Sequence, residues 1–295
     1  MKQNRVRSSA KVKDIMTKHV ITVSVPNNRR AALKIFVNHP ISGIPIVRDD
    51  GGLIGIITRK NIFDHPAEEQ LAMIMIRNPV TIRDVDLVAD AARLMQEKNI
   101  HRLPVLDKDE KLCGIVSPID CLRVLQDLKT GDVVENFLSD HCVAIAAETP
   151  ASAALVILEV GQAKALPVIE KAGMVVGIVT DRDIYSLIQV ERKAIEADLG
   201  AGEAEGGSEE EKRWTWQGWG NIAPLYLMGK ESMVPPTPVK EFMVQKPITV
   251  YGKTSLEKAA RHMVKGRFNQ LPVTWPDGKL RGMVNELDIL RYLWE

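Results

Sequence analysis

Cysteine is scarce in this sequence: Cys113, Cys121 and Cys142 are the only three in 295 residues. The count is odd and no pair has C-x-x-C spacing, which argues against a zinc site and against a disulfide framework. Each is read as a small buried apolar residue, and the cytosol is the expected compartment. Long apolar runs are missing as well. None approaches the ~20 residues of a membrane span, so no membrane association is expected, and no basic-then-apolar leader opens the chain. Neither sign of charge is in excess: 39 Lys and Arg against 38 Asp and Glu leave a net charge of +1. The molecule as a whole therefore makes no electrostatic statement about its partners. Catalytic signatures are also lacking, with no nucleophile elbow, H-E-x-x-H or Walker loop. The six histidines are scattered without ligand spacing. No metal, no required cofactor and no enzymatic activity are expected.

The charge that is present is unevenly placed. "MKQNRVRSSAKVK" carries Lys2, Arg5, Arg7, Lys11 and Lys13 with no acid before Asp14. Residues 1–13 read either as a basic arm for phosphate or RNA or as a solvated, frayed terminus. Residues 191–236 contain "GAGEAEGGSEEEKR", whose composition is that of a flexible acidic linker. It lacks the preceding strand and the Lys-Ser/Thr ending of a phosphate loop. It runs into "RWTWQGWG", where Trp214, Trp216 and Trp219 either pack back on the fold or contact a partner.

Self-similarity dominates the rest. "GIITRKN" from Gly55, "GIVSPID" from Gly114, "GIVTDRD" from Gly177 and "GMVNELD" from Gly282 are near-copies. Ten residues before each glycine stands Pro45, Pro104, Pro167 or Pro272, and thirteen before each proline stands Ala32, Ala91, Ala154 or Ala259. Ten further back lies an apolar triplet centred on Thr22, Thr81, Ala144 or Thr249, and six before that come Met16, Met75, Leu138 and Met243. Four constant offsets in four copies define an internal repeat.

Each unit reads β-α-β-β-α, an α+β pattern. The triplet is a short strand. In residues 84–99, Leu87, Ala91, Leu94 and Met95 fall on one helical face. "LPVL" and "LCGIV" are strands joined by the polar turn "DKDEK". Ser117 and its counterparts fall where a helix starts, with Pro118 at the first helical position. One unit of ~60 residues is too small to bury a good core alone, so the copies are expected to pair. The expected modules are residues 14–130, holding repeats 1 and 2, and 131–295, holding repeats 3 and 4 with the 191–236 insert.

The apolar-Pro strand followed by G-h-x-[ST]-x-x-D resembles the cystathionine-β-synthase (CBS) motif, four of which form two Bateman modules. The organisation is similar to stand-alone archaeal four-CBS proteins. The resemblance implies adenosine ligands (AMP, ADP, ATP or S-adenosylmethionine) and a regulatory rather than catalytic role. It also implies paired modules, either within one chain or as a homodimer. Physical chemistry agrees with such a ligand. Free N–H groups at a helix start suit a phosphate, and a carboxylate one turn along can accept from ribose hydroxyls.

On this reading the sites differ. Site 3 has Thr180, Arg182 and Asp183. Site 2 keeps Ser117 and Asp120 without a charge between them. Site 1 has Thr58, Arg59 and Lys60, with Asn61 in place of the acid, so charge assistance is lost. Site 4 keeps Asp288 but has Asn285 for the hydroxyl and Glu286, which would repel phosphate; Asp288 also reads as ordinary helix-terminal charge. Site 3 is expected to fill, sites 1 and 2 to be open to ligand, and site 4 to be weak or empty. "KNIHRLPVL" resembles a stretch of the γ subunit of AMP-activated protein kinase, which implies phosphate contacts for His101 and Arg102. Among their counterparts only Lys164 offers a similar charge. A satisfied helix-end imidazole is the competing reading of His101. The expected function is an adenine-nucleotide sensor acting on an unknown protein partner. The alternative is an RNA- or ribosome-binding adaptor, motivated by the basic arm and the Trp-rich insert.

Overall fold

The computed structural model describes residues 9–39, 41–65, 68–139, 141–180, 183–184 and 237–295. Arg182, Trp214, Trp216, Trp219, Lys2, Arg5 and Arg7 lie outside the described residues.

All four units carry the expected strand, helix and hairpin. In repeat 2 the short strand Ile82–Arg83 precedes the helix Val88–Glu97, the hairpin Leu103–Leu106 and Leu112–Val116, and the helix Pro118–Leu125. The short strand runs parallel to the first hairpin strand, with Ile82 opposite Val105. Repeat 1 places Val23–Ser24 beside Gly43–Val47 in the same way, and repeat 4 places Val250–Tyr251 beside Gln270–Thr274. Repeat 3 pairs Ile145–Ala146 with Ala165–Ile169.

The repeated residues have mechanical causes. Pro45, Pro104, Pro167 and Pro272 face Ile56, Ile115, Ile178 and Met283 across their hairpins. A proline cannot donate to a ladder, so each stands in a pair that needs no N–H, its nitrogen turned toward the short parallel strand. In all four repeats the short strand begins pairing at the residue after the proline: Ile46, Val105, Val168 and Val273. Ala32, Ala91, Ala154 and Ala259 are fully buried on their helices. One expectation needs correcting. Leu87 is not on the buried helical face: it is the N-cap, its backbone bridges Lys11, and its side chain is exposed. The buried face is Val88, Ala91, Ala92 and Met95.

Units exchange their heads in pairs. Thr17, at the head of repeat 1, exchanges hydrogen bonds of 2.9 and 3.0 Å with Ile115 of repeat 2. Ile76–Arg77, at the head of repeat 2, adds a strand to the sheet of repeat 1. Val244–Gln245, at the head of repeat 4, does the same for repeat 3, and Ser139 N–H donates to Met283 O of repeat 4 at 2.9 Å. The sulfurs of Met16, Met75 and Met243 lie against Gly114, Gly55 and Gly177 of the partner unit. Backbone bonds from Val12 to Asp86 and from Lys13 to Asp84 draw residues before Asp14 into the fold, with Val12 fully buried.

The two pairs meet through repeats 2 and 4. One apolar cluster contains Ala91, Met95, Leu122 and Leu125 together with Ala260, Met263, Leu290 and Tyr292. The helix Leu256–Gly266 packs on Pro118–Leu125, and Glu286–Leu290 packs on both helices of repeat 2. Polar contacts rim this seam: Trp294 Nε1 donates to Gln96 Oε1 at 2.9 Å and Tyr292 Oη to Thr130 O at 3.2 Å. Among the described residues, repeats 1 and 3 keep separate cores. Cys121 is buried and Cys113 partly so, but Cys142 is exposed, correcting the expectation for it. It stands in an irregular stretch beside exposed Val143, before the strand Ile145–Ala146 begins.

Candidate functional site

Each repeat ends its hairpin in a capping box, which answers why hydroxyl and acid recur three residues apart. Ser117 N–H and Oγ both donate to Asp120 Oδ2, at 2.9 and 2.6 Å. Thr180 N–H and Oγ1 donate to Asp183 Oδ2 at 2.8 and 2.7 Å. Asn61 accepts from Thr58 N–H at 2.9 Å, and Asp288 accepts from Asn285 N–H at 3.3 Å. The carboxylate thus satisfies orphan donors at the helix start. In Asp183 and Asp120 these bonds engage one oxygen, Oδ2.

The second oxygen distinguishes the sites. Asp120 is buried, and its Oδ1 accepts from Arg123 at 2.7 Å. Arg123 itself is half exposed, so this contact can yield to a competing donor. At Asp288, Ser139 Oγ donates to the carboxylate and in turn accepts from Asn285 Nδ2 at 3.2 Å. The exchanged head of repeat 3 therefore closes over the acid of repeat 4. Arg59 turns back on its own repeat: Nη2 donates to Phe36 O at 3.4 Å and the guanidinium lies 5.5 Å from the Phe36 ring. Lys60, Lys11 and Lys13 are exposed.

His101, Arg102 and Lys164 converge, although they come from repeats 2 and 3. Lys164 Nζ contacts His101 Nε2, and His101 Nδ1 lies 3.0 Å from Glu286 Oε1 of repeat 4. The Nδ1–Glu286 approach is one of charge and distance: Nδ1 is buried and makes no hydrogen bond of good geometry. Arg102 has its stem beside Gly43 of repeat 1, and Nη1 donates to His101 O at 2.5 Å. Burial pushes the Arg102 guanidinium below its ordinary pKa, and the negative fields of Glu286 and Asp120 oppose that shift. A guanidinium does not give up its proton in a protein, so a half-buried cation stands next to the Ser117–Asp120 cap.

Sequence reasoning did not find Glu286 as the centre of this cluster. It is buried, 3% exposed, and its partners lie more than 100 residues away in the chain. Its counterparts in the other repeats are Arg59, Pro118 and Asp181, so an acid at this position is not peculiar to repeat 4 and carried no local signal. Ser139 gave no signal either, since its role exists only through head exchange.

The geometry defines a chain of four repeated units that exchange their heads in pairs, and comparison settles the family. The CBS domain matches residues 12–68, 71–127, 134–190 and 239–295, and the chain belongs to this family. It is 37% identical over 130 residues to a CBS domain-containing protein of Dictyostelium discoideum, covering 39% of this chain and 90% of that one. A conserved protein of Pyrococcus horikoshii has a similar structure, with a TM-score of 0.67 at 25% identity, covering 96% of this chain and 100% of that one. The same fold is seen in a Methanocaldococcus jannaschii protein described as a candidate archaeal homologue of γ-AMPK: TM-score 0.69, 20% identity, 96% and 99% coverage. Other curated relatives, one bearing an enzyme's name, are matched over 26–51% of their own length. No helix among the described residues is long and apolar enough to cross a membrane.

Proposed function

We propose that this chain is a non-catalytic regulatory protein that binds adenine nucleotide (AMP, ADP or ATP, with S-adenosylmethionine as a further adenosine ligand) in its CBS clefts. The observation that carries this reading is the junction of Arg102, His101 and Lys164 beside the Ser117–Asp120 cap. A half-buried cation set next to a helix start and a carboxylate suits two parts of a nucleotide, the phosphate and the ribose. Thr180 and Asp183 supply the same cap in repeat 3, with Arg182 as the proposed cation. Thr58, Arg59, Lys60 and Asn61 form the weaker counterpart in repeat 1. Asp288 is proposed to stay with Ser139. Because repeats 2, 3 and 4 all contribute to the junction, ligand there bears on how the two modules meet, and a partner protein reads that change. Equilibrium dialysis against AMP, ADP and ATP tests the binding step: saturable uptake at micromolar ligand supports it, and none up to millimolar ligand rejects it.

A second reading rests on the exposed side chains of Lys11 and Lys13, which stand beside a fold edge and continue the basic run of Lys2, Arg5 and Arg7. In that reading the chain docks on RNA or the ribosome, with nucleotide as the gate. Reversing these five charges would abolish co-sedimentation with ribosomes; association surviving at raised salt would reject a phosphate-binding arm.

A further inference from the structure

Glu286 is in a place where a solvated helix-terminal acid is not expected. It is 3% exposed and lies 3.0 Å from His101 Nδ1, and its field reaches Arg102. Lys164 backs the imidazole from the other side. Without ligand, then, a buried carboxylate stands beside His101, with the half-buried Arg102 within its field and the exposed Lys164 on the far side of the imidazole. Asp120 adds a second negative charge from below, itself shared with Arg123. The junction is close to neutral by itself. Without Glu286 the half-buried Arg102 would lack this compensating charge from repeat 4, at a cost in stability.

We propose that Glu286 is a resident counter-anion that competes with ligand phosphate for Arg102 and His101, and so sets how much negative charge the junction accepts. This rests on the nucleotide reading above and refines it. A ligand phosphate approaching Arg102 meets the carboxylate as a like charge in a low-dielectric setting, where such juxtaposition is strongly unfavourable. The opposition grows with ligand charge. Adenosine is indifferent to Glu286, AMP is mildly opposed, and ATP is opposed most. Since Glu286 belongs to repeat 4 and its partners to repeats 2 and 3, a phosphate that takes Arg102 also leaves a buried carboxylate in the other module short of its cation. Occupancy in one module is thereby felt in the other.

The variant Glu286→Gln keeps the shape and removes the charge. Calorimetry on the full chain should show ATP affinity rising by about tenfold or more, AMP rising less and adenosine unchanged. Equal changes for all three ligands, or none, would overturn the proposal. A second readout does not depend on adenosine at all. Glu286→Gln should melt lower than the native chain, and millimolar pyrophosphate should restore it while leaving the native chain unmoved. Pyrophosphate acting equally on both, or on neither, would again overturn the counter-anion role. If pyrophosphate rescues the variant but no adenosine compound binds either protein, the counter-anion stands and the nucleotide reading fails.

Discussion

Met16 lies against the α-carbon of Gly114. A β-carbon at Gly114 would sit 2.3 Å from the Met16 sulfur, 2.9 Å from its Cγ and 3.3 Å from its Cβ. The stem of the side chain, and not only its tip, blocks any larger residue. This one contact joins the first repeat to the second, and it explains two of the repeated positions together: each methionine needs a bare glycine in the partner unit.

Gly114→Ala should therefore destabilise the chain by about 1–3 kcal/mol, the usual range for overpacking. Gly282→Ala is the internal control. Its nearest neighbour would be Leu138 Cδ2 at 3.6 Å, an ordinary contact, so it should be close to neutral. Urea unfolding of both variants checks this. Equal losses at the two positions would contradict the head-exchange account.

The seam between repeats 2 and 4 predicts a second effect. Leu122 is fully buried in the cluster that both repeats share. Leu122→Ala should cost about 2–5 kcal/mol and should loosen both modules at once. Hydrogen exchange would then rise in Leu256–Gly266 as well as in Pro118–Leu125. A change confined to repeat 2 would mean that the modules fold independently.

Stability should also fall in acid through Glu135. Hydrogen bonds from Lys253 and Arg281 hold this carboxyl below the usual carboxylate range. A depressed folded pKa contributes stability that is fully present above the unfolded value and is lost as pH falls through the folded value. Melting curves of the native chain and Glu135→Gln, taken from about pH 7 to about pH 3, should differ most at the high end and converge in acid. A gap that widens as pH falls would reverse the sign and refute the pairing.

Asp288 and Asp183 should behave differently although their motifs look alike. Ser139 donates to Asp288 from the exchanged head of repeat 3. Asp288→Ala is accordingly expected to lower the melting temperature while leaving nucleotide stoichiometry and affinity unchanged. A lost binding event in that variant would move a functional site into repeat 4.

Much of this was legible from residue spacing. Pro45, Ala32 and Gly55 recur because sheet, helix contact and head contact each fix one residue per repeat, so mechanics wrote the period into the sequence. The N-cap role of Ser117 and the Pro118 start of the next helix were equally local and equally readable. What spacing could not give is which unit each repeated residue serves. Met16 belongs to repeat 1 by sequence and to repeat 2 by contact. Glu286 read only as an acid that repels phosphate from its own site, because His101 and, behind it, Lys164 arrive from other repeats. Leu87 fitted the helical period, but the backbone bridge to Lys11 took it out of the helix.

The central claim is that the hydroxyl–carboxylate caps hold adenine nucleotide, and isothermal titration of the full chain with AMP and ATP tests it most directly, comparing the native protein with Asp183→Ala. The account predicts saturable binding to the native chain and the loss of at least one binding event in the variant. Absence of binding to the native chain, or the same stoichiometry and affinity in Asp183→Ala, would contradict it.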